Sequence, residues 1–256
     1  MEALPLDDRA KDLKDLDLRH EALPIQRSLG TYWCIESDTL GFRIELKEIP
    51  LSRRGILSTI SSVFDLLRIV SSVILVGKQI LQGLCSQNID WDDPAPDEIL
   101  PRWERWRTKL PLLEDVRIHR CVKPPSFGSP VQTEIHCFSD ASESGIGQVS
   151  CLRIVNAKNQ VDVSSLMAKS RVAPLKPVSI PRLELTAAVA SVNVTTMLKN
   201  ELDYVRQLTV RLLDLPTSRA QSVFFWKRDC GTAIPQNTER EGAVARLVSL
   251  AGNRIK

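Results

Sequence analysis

Between Thr133 and Trp226 the chain presents three short runs of strand-forming residues, then a helical period, then one more apolar run. The order strand, strand, strand, helix, strand constrains the fold more than any other feature. The strand runs are Thr133 to Ser139, Ile146 to Val155 and Val161 to Ala168. Gly145 and Gly147 flank the start of the second run and Asn156 to Gln160 is turn-like, so an antiparallel meander is the economical arrangement. Pro181 suits a first helical position, opening a helix predicted to reach about Tyr204 with Leu185, Val189, Val192 and Thr196 as its inward stripe. Val223 to Trp226 reads as the closing strand.

The first half has a different texture. Residues 1 to 30 carry charge without a clean period, apart from a possible short helix at Asp8 to Leu18. GFRIEL at 41–46 alternates apolar and polar residues, which predicts a half-buried strand with Phe42, Ile44 and Leu46 inward, ended by Pro50. Ser52 stands where an N-cap belongs, ahead of a helix to Phe64 with Ile56, Leu57, Ile60 and Val63 at helical spacing. Further helices are predicted at Ile69 to Cys85 and Pro96 to Lys109. In the latter, Trp103 and Trp106 share one face, where core packing is the more ordinary use than a stacking platform for bases. Cys121 to Val131, rich in Pro, Ser and Gly, separates the two textures. The fold class is therefore α/β in the α+β sense: a mainly helical region 1–120, a linker 121–131 and a sheet-and-helix region 132–256.

Composition narrows the function classes. Thirty-four Lys and Arg against 31 Asp and Glu give a formal charge of +3, far from the basic footprint of an autonomous nucleic-acid binder, so any such contact is local. Six cysteines without a CxxC pair and three histidines give no zinc pattern; they read as reduced thiols in an intracellular protein. His136 and Cys137 adjoin, but within a strand expected to be central, where a buried structural thiol is the ordinary outcome. No secretory leader follows Met1, and Ile69 to Leu84 is too short and too polar to span a bilayer. The expected location is the cytoplasm or nucleus, with no membrane partner.

Asp140 closes the first strand run and Glu184 falls in the first turn of the long helix. A carboxylate at a strand end and another at a helix start can converge on one hard cation, Mg²⁺ or Mn²⁺, as phosphodiester hydrolysis requires. The same residues serve equally as a turn cap with Ser142 and as a complement to the helix dipole. Spacing alone does not choose between these uses.

Four blocks in order, ESDTLGFRIELKEIPLSRRGILSTISSVFD, WDDPAPDEILPRWERW, IHCFSDASESGIGQVSCLRIVN and LMAKSRVAPLKPVSIPRLELTAAV, resemble BEL/Pao retrotransposon polyproteins from about Leu23 to Asn253. The resemblance implies the end of a reverse transcriptase, its connection region in 1–120, followed by a partial ribonuclease H-like domain, a mixed sheet with one long helix. It implies a metal-dependent hydrolase acting on the RNA strand of RNA/DNA hybrids, with the rest of the polyprotein as partner. Asp140 in FSDAS then matches the first metal-binding carboxylate and Glu184 in PRLELTAA the second. Lys169, Arg171 and Arg182 would lie near the same rim and contact phosphates. The family also bears the name Pao retrotransposon peptidase, which makes an aspartic peptidase an alternative. Such an enzyme uses a D-T/S-G loop, however, and SDAS at Asp140 is the nearest approach here.

The chain departs from the family pattern at several points. The third carboxylate belongs to a T/S-D-S motif directly after a strand ending in FW. Here FFW is followed by KRDC, so Asp229 is displaced by one position and Cys230 replaces the serine. A one-residue shift after a strand turns a side chain to the opposite face. Val205 to Gln221 looks longer than the family's usual connection. Leu66, Arg68 and Ser72 replace the Pro, Gly and second Pro of the family's D-P-L-G turn region, removing local constraints on that turn. These read as substitutions of a decaying copy that has lost its ribonuclease H activity. A non-catalytic remnant that binds nucleic acid or a partner is the other reading.

Overall fold

The computed structural model describes residues 26–28, 31–202 and 209–214. The predictions at Asp8 to Leu18, Val223 to Trp226 and Asp229 lie outside them. Two hydrophobic cores organise the described residues, and an α+β arrangement results.

The first core gathers helices α1 (Arg53–Ser62), α2 (Ser71–Ser86) and α3 (Leu100–Arg107), with a 3-10 turn at Leu110–Asp115. Short strands β1 (Gln26–Ser28), β2 (Thr31–Cys34), β3 (Thr39–Gly41) and β4 (Arg117–His119) form an antiparallel sheet in chain order. Ser52 caps α1 as its position predicted, its Oγ accepting from the Gly55 N–H at 3.2 Å. Position 55 admits only glycine, because a Cβ there would fall 2.1 Å from the Pro50 carbonyl oxygen. Buried Val73, Ile74, Gly77, Ile80 and Leu84 form the inward stripe of α2. They pack with Ile56 and Ile60 of α1 and with the Trp103–Trp106 pair, whose ring centroids are 5.2 Å apart. Both tryptophans are buried, so the pair is core rather than a platform for bases.

GFRIEL behaves differently from its prediction. Only Gly41 belongs to a strand, and residues 42–50 form no ladder. The alternation of burial survives, with Phe42 buried and Arg43 exposed, but the Ile44 N–H donates to Glu114 Oε1 at 2.8 Å. A side chain has taken the place of a neighbouring strand.

The second core is built on β5 (Pro130–Ser142), β6 (Gly145–Asn156) and β7 (Val161–Val172), the predicted antiparallel meander, in a sheet of order β7-β6-β5-β8. Asn156 closes the β6–β7 turn with its Oδ1 accepting from the N–H groups of Lys158 and Gln160. Strand β8 (Thr209–Asp214), absent from the sequence reading, pairs parallel with Glu134 to Ser139 of β5. Phe127, inside the segment read as a linker, belongs to this core, and Asn156 donates to its carbonyl.

Helix α4 (Ile180–Glu201) covers β5 and β6 with Leu183, Ala187, Ser191, Val194 and Leu198. This corrects the predicted stripe: Leu185 is 65% exposed and Val189 53%, and Val192 and Thr196 are exposed too. Both rows keep the helical period. The row that packs has the small residues Ala187 and Ser191, which let the helix axis approach the sheet closely.

The two cores meet along the edge of β7. Its Ala168 N–H donates to the Leu67 carbonyl at 3.1 Å, and Ser170 Oγ donates to the Ser71 carbonyl at 2.9 Å. Gln82 of α2 donates to the Ala173 carbonyl. An edge strand that would otherwise offer open ladder groups is thus covered. Among the described residues no disulfide joins the cysteines, and no helix is long and apolar enough to cross a membrane.

Candidate functional site

Asp140 stands near the end of β5, its Cα paired with Gly147 of β6. The carboxylate is half-buried, and Oδ1 accepts the Ala141 N–H at 2.8 Å. Burial pushes its carboxyl above the usual carboxylate range, while the single backbone hydrogen bond pulls the other way and does not cancel the shift. The ionised form is therefore under-compensated, the condition in which a cation gains most by binding.

Ala141, the next residue, packs with Ile146 and Ala173 against Leu183 and Ala187 of α4. Glu184 directly follows Leu183 and is half-buried. The strand end carrying Asp140 and the helix start carrying Glu184 thus touch through their immediate neighbours. Because α4 begins at Ile180, Glu184 is its fifth residue and opens the second turn rather than lying in the first. The orphan backbone donors belong to the first turn, which removes most of Glu184's use as a dipole complement. Row assignment on β5 follows from Cys137, whose thiol meets Thr195 Oγ1 of α4 at 2.7 Å. Cys137 and Ala141 therefore share the helix-facing row, and Asp140 belongs to the alternate row at the strand's end.

Strand β8 adds a position that sequence reasoning missed. Its last residue, Asp214, has its Cα in register with Ser139, one residue before Asp140. The stretch holding it was taken for an overlong connection. The strand-like run TVRLLD was the available signal, and only the parallel pairing with β5 gives it meaning. Among the described residues no three His, Cys, Asp or Glu side chains form a group able to hold a metal ion.

Of the basic residues expected at the rim, Lys169 and Arg171 lie on one row of β7, opposite Gln148 and Ile146 of β6. With Gly147, Ala187 and Ala190 these residues line a shallow cleft between the sheet and α4. Arg182 is an exposed residue of the first turn of α4 and does not line that cleft.

A family model described as a Pao retrotransposon-like RNaseH-like domain matches residues 52–212, well over half of the chain and across both cores. No curated protein matches it.

Proposed function

Because the chain belongs to the Pao retrotransposon-like RNaseH-like domain family, we propose that it derives from a nuclease degrading the RNA strand of RNA/DNA hybrids and now binds hybrid without turnover. One observation carries the reading: a half-buried, under-compensated Asp140 carboxylate at a strand end that touches the helix turn bearing Glu184. Oxygen donors of this type suit Mg²⁺ or Mn²⁺, which Asp140 and Glu184 would hold. When bound, the ion would supply charge stabilisation at phosphate and an activated water. Asp140 brings a carboxylate that burial leaves under-compensated, and Glu184 brings a second from helix α4, which packs on the alternate row of β5. Loss of turnover follows from the sequence after FFW, where Asp229 is shifted by one residue and Cys230 replaces the serine. Lys169, Arg171 and Arg182 would contact the phosphates of the hybrid, and the remaining polyprotein is the expected partner, in the cytoplasm or nucleus. We divide the chain into a reverse transcriptase connection region 1–120, a linker 121–131 and a partial ribonuclease H-like domain 132–256.

The test incubates the full chain with a labelled RNA/DNA hybrid and Mg²⁺, beside Asp140→Asn and Glu184→Gln. The expected result is hybrid binding without cleavage, and a rise in melting temperature on adding Mg²⁺ that both substitutions abolish. Cleavage by the parent chain that either substitution removes would overturn the loss of turnover. Cleavage surviving both would overturn the metal assignment.

A further inference from the structure

Asp140 and Glu184 sit on different elements, so their spacing is set by whatever fixes the end of β5 against the start of α4. The contact that does so is the cluster Ala141, Ile146, Ala173, Leu183 and Ala187. Ala141 and Leu183 are the chain neighbours of the two carboxylates. Ala173 opens residues 173–179, the connection that leaves β7 at Val172 and enters α4 at Ile180. Both of its backbone polar groups are held: the N–H donates to the Ser144 carbonyl at 3.2 Å, and the carbonyl accepts from Gln82 Nε2 at 2.6 Å.

The second of these bonds comes from the helical core. Leu75, Gln79 and Gln82 stand at i, i+4 and i+7 on α2, a row apart from the buried one that packs with α1 and α3. Gln79 Nε2 donates to the same Ser144 carbonyl at 3.3 Å, and its Oε1 accepts from Arg102 Nη2 of α3 at 2.9 Å. A guanidinium only donates, so Arg102 fixes which end of the Gln79 amide faces the turn. Leu75 lies so near Gly145 that a Cβ there would stand 3.1 Å from Leu75 Cδ2. One face of α2 thus grips both the β5–β6 turn that follows Asp140 and the start of the connection to α4.

We propose that Gln82, backed by Gln79 and Arg102, is a positioning residue for the carboxylate site. By holding the Ala173 carbonyl and the Ser144 turn on one face of α2, it sets the distance between Asp140 and Glu184, and with it the affinity of the pair for a divalent cation. The inference rests on the reading of Asp140 and Glu184 as holders of Mg²⁺ or Mn²⁺. The side-chain amides act through backbone carbonyls, and no bond is made or broken.

Three variants of the full chain test this. Gln82→Leu removes the donor and keeps the bulk, and Gln82→Lys returns an N–H donor of similar reach. Ser170→Ala is the control, because Ser170 Oγ joins β7 to the Ser71 carbonyl across the same boundary through a bond that involves neither Ala173 nor Ser144. Two quantities are read well below each melting temperature: Mg²⁺ affinity by calorimetry, and the methyl resonances of Ala141 and Leu183 by NMR without metal. Gln82→Leu is expected to weaken Mg²⁺ binding about fivefold and to move both methyl resonances, and Gln82→Lys to restore both quantities. Ser170→Ala is expected to lower the melting temperature and change neither. Unmoved methyl resonances in Gln82→Leu would overturn the proposal, as would an unchanged affinity beside a parent chain that binds Mg²⁺. So would Ser170→Ala weakening Mg²⁺ binding as much as Gln82→Leu. A parent chain with no saturable Mg²⁺ binding would refute the carboxylate reading instead, and the methyl resonances would then decide alone whether Gln82 sets the spacing.

Discussion

Gly77 is a close-packed point between the helices of the first core, and replacing it by alanine isolates one steric term. A Cβ at position 77 would lie 2.6 Å from Trp106 Cζ2, 2.8 Å from Cη2 and 2.9 Å from Ile60 Cγ1. Relief requires one of these groups to retreat by most of an ångström. Trp106 is 5% exposed, its Nε1 donates to the Val73 carbonyl at 2.8 Å, and Trp103 stands behind it. Ile60 is equally buried. Overpacking of such a site costs about 1–3 kcal/mol, and losing the indole hydrogen bond adds about 1 kcal/mol. Against this stands a gain of about 1 kcal/mol from better helix propensity. The net expectation is destabilisation by about 1–3 kcal/mol, a fall in melting temperature of roughly 3–10 °C for a chain of this size. Gly83 in the same helix is the control, because a Cβ there meets nothing within 4 Å. Gly83→Ala is expected to stabilise by about 0.5–1 kcal/mol through propensity alone. Urea denaturation followed by tryptophan fluorescence reads both. If Gly77→Ala unfolds at the same or higher urea than the parent, the close packing of α1, α2 and α3 described above is wrong.

Two further outcomes concern the turn that leads into α2. Asp65 accepts from the N–H groups of Ile69 and Val70, and burial outweighs those bonds to push its carboxyl up to about 6 from 3.8. A raised folded-state value means the contribution is fully present below about pH 3.8 and lost as pH rises through about 6. About 2 units correspond to about 3 kcal/mol, so Asp65→Asn should flatten the decline in stability between pH 4 and 6, and an unchanged slope in melting temperature against pH would refute the assignment. Arg68 has φ +57°, in the left-handed region. Arg68→Gly should stabilise the chain by about 1 kcal/mol by removing that strain, and a lower urea midpoint would show that the turn is held differently.

Arg68 also shows where sequence reasoning stopped short. The resemblance identified position 68 as a lost glycine and suggested that the turn had lost its constraint. The structure keeps a glycine-type backbone conformation there and fits an arginine to it, with Asp65 supplying the hydrogen bonds. Ser52 was legible because capping is decided within four residues. GFRIEL was half legible: alternation reports which side chains are buried, but a ladder needs a partner strand, and Glu114, seventy residues away, took that role. The pairing of β8 with β5 is non-local in the same way. No pattern inside TVRLLD announces that Asp214 will come into register beside Ser139.

The placement of Asp140 and Glu184 depends less on which face of the helix packs, and helix geometry explains why. The predicted inward row of α4 ran through Leu185, whereas the row that packs runs through Leu183. Successive residues turn by about 100° around a helix, so exchanging these rows turns α4 by about 200° and sends Leu185, Val189 and Val192 from the sheet to the surface. Glu184 lies between the two leucines and is therefore about 100° from either row. It flanks the sheet contact in both arrangements and is half-buried in the one observed. Asp140 is anchored by strand register, which the Asp140–Gly147 pairing fixes without reference to the helix. An error in the helix face thus changed which hydrophobic side chains meet the solvent, and left each carboxylate at the edge where strand and helix touch.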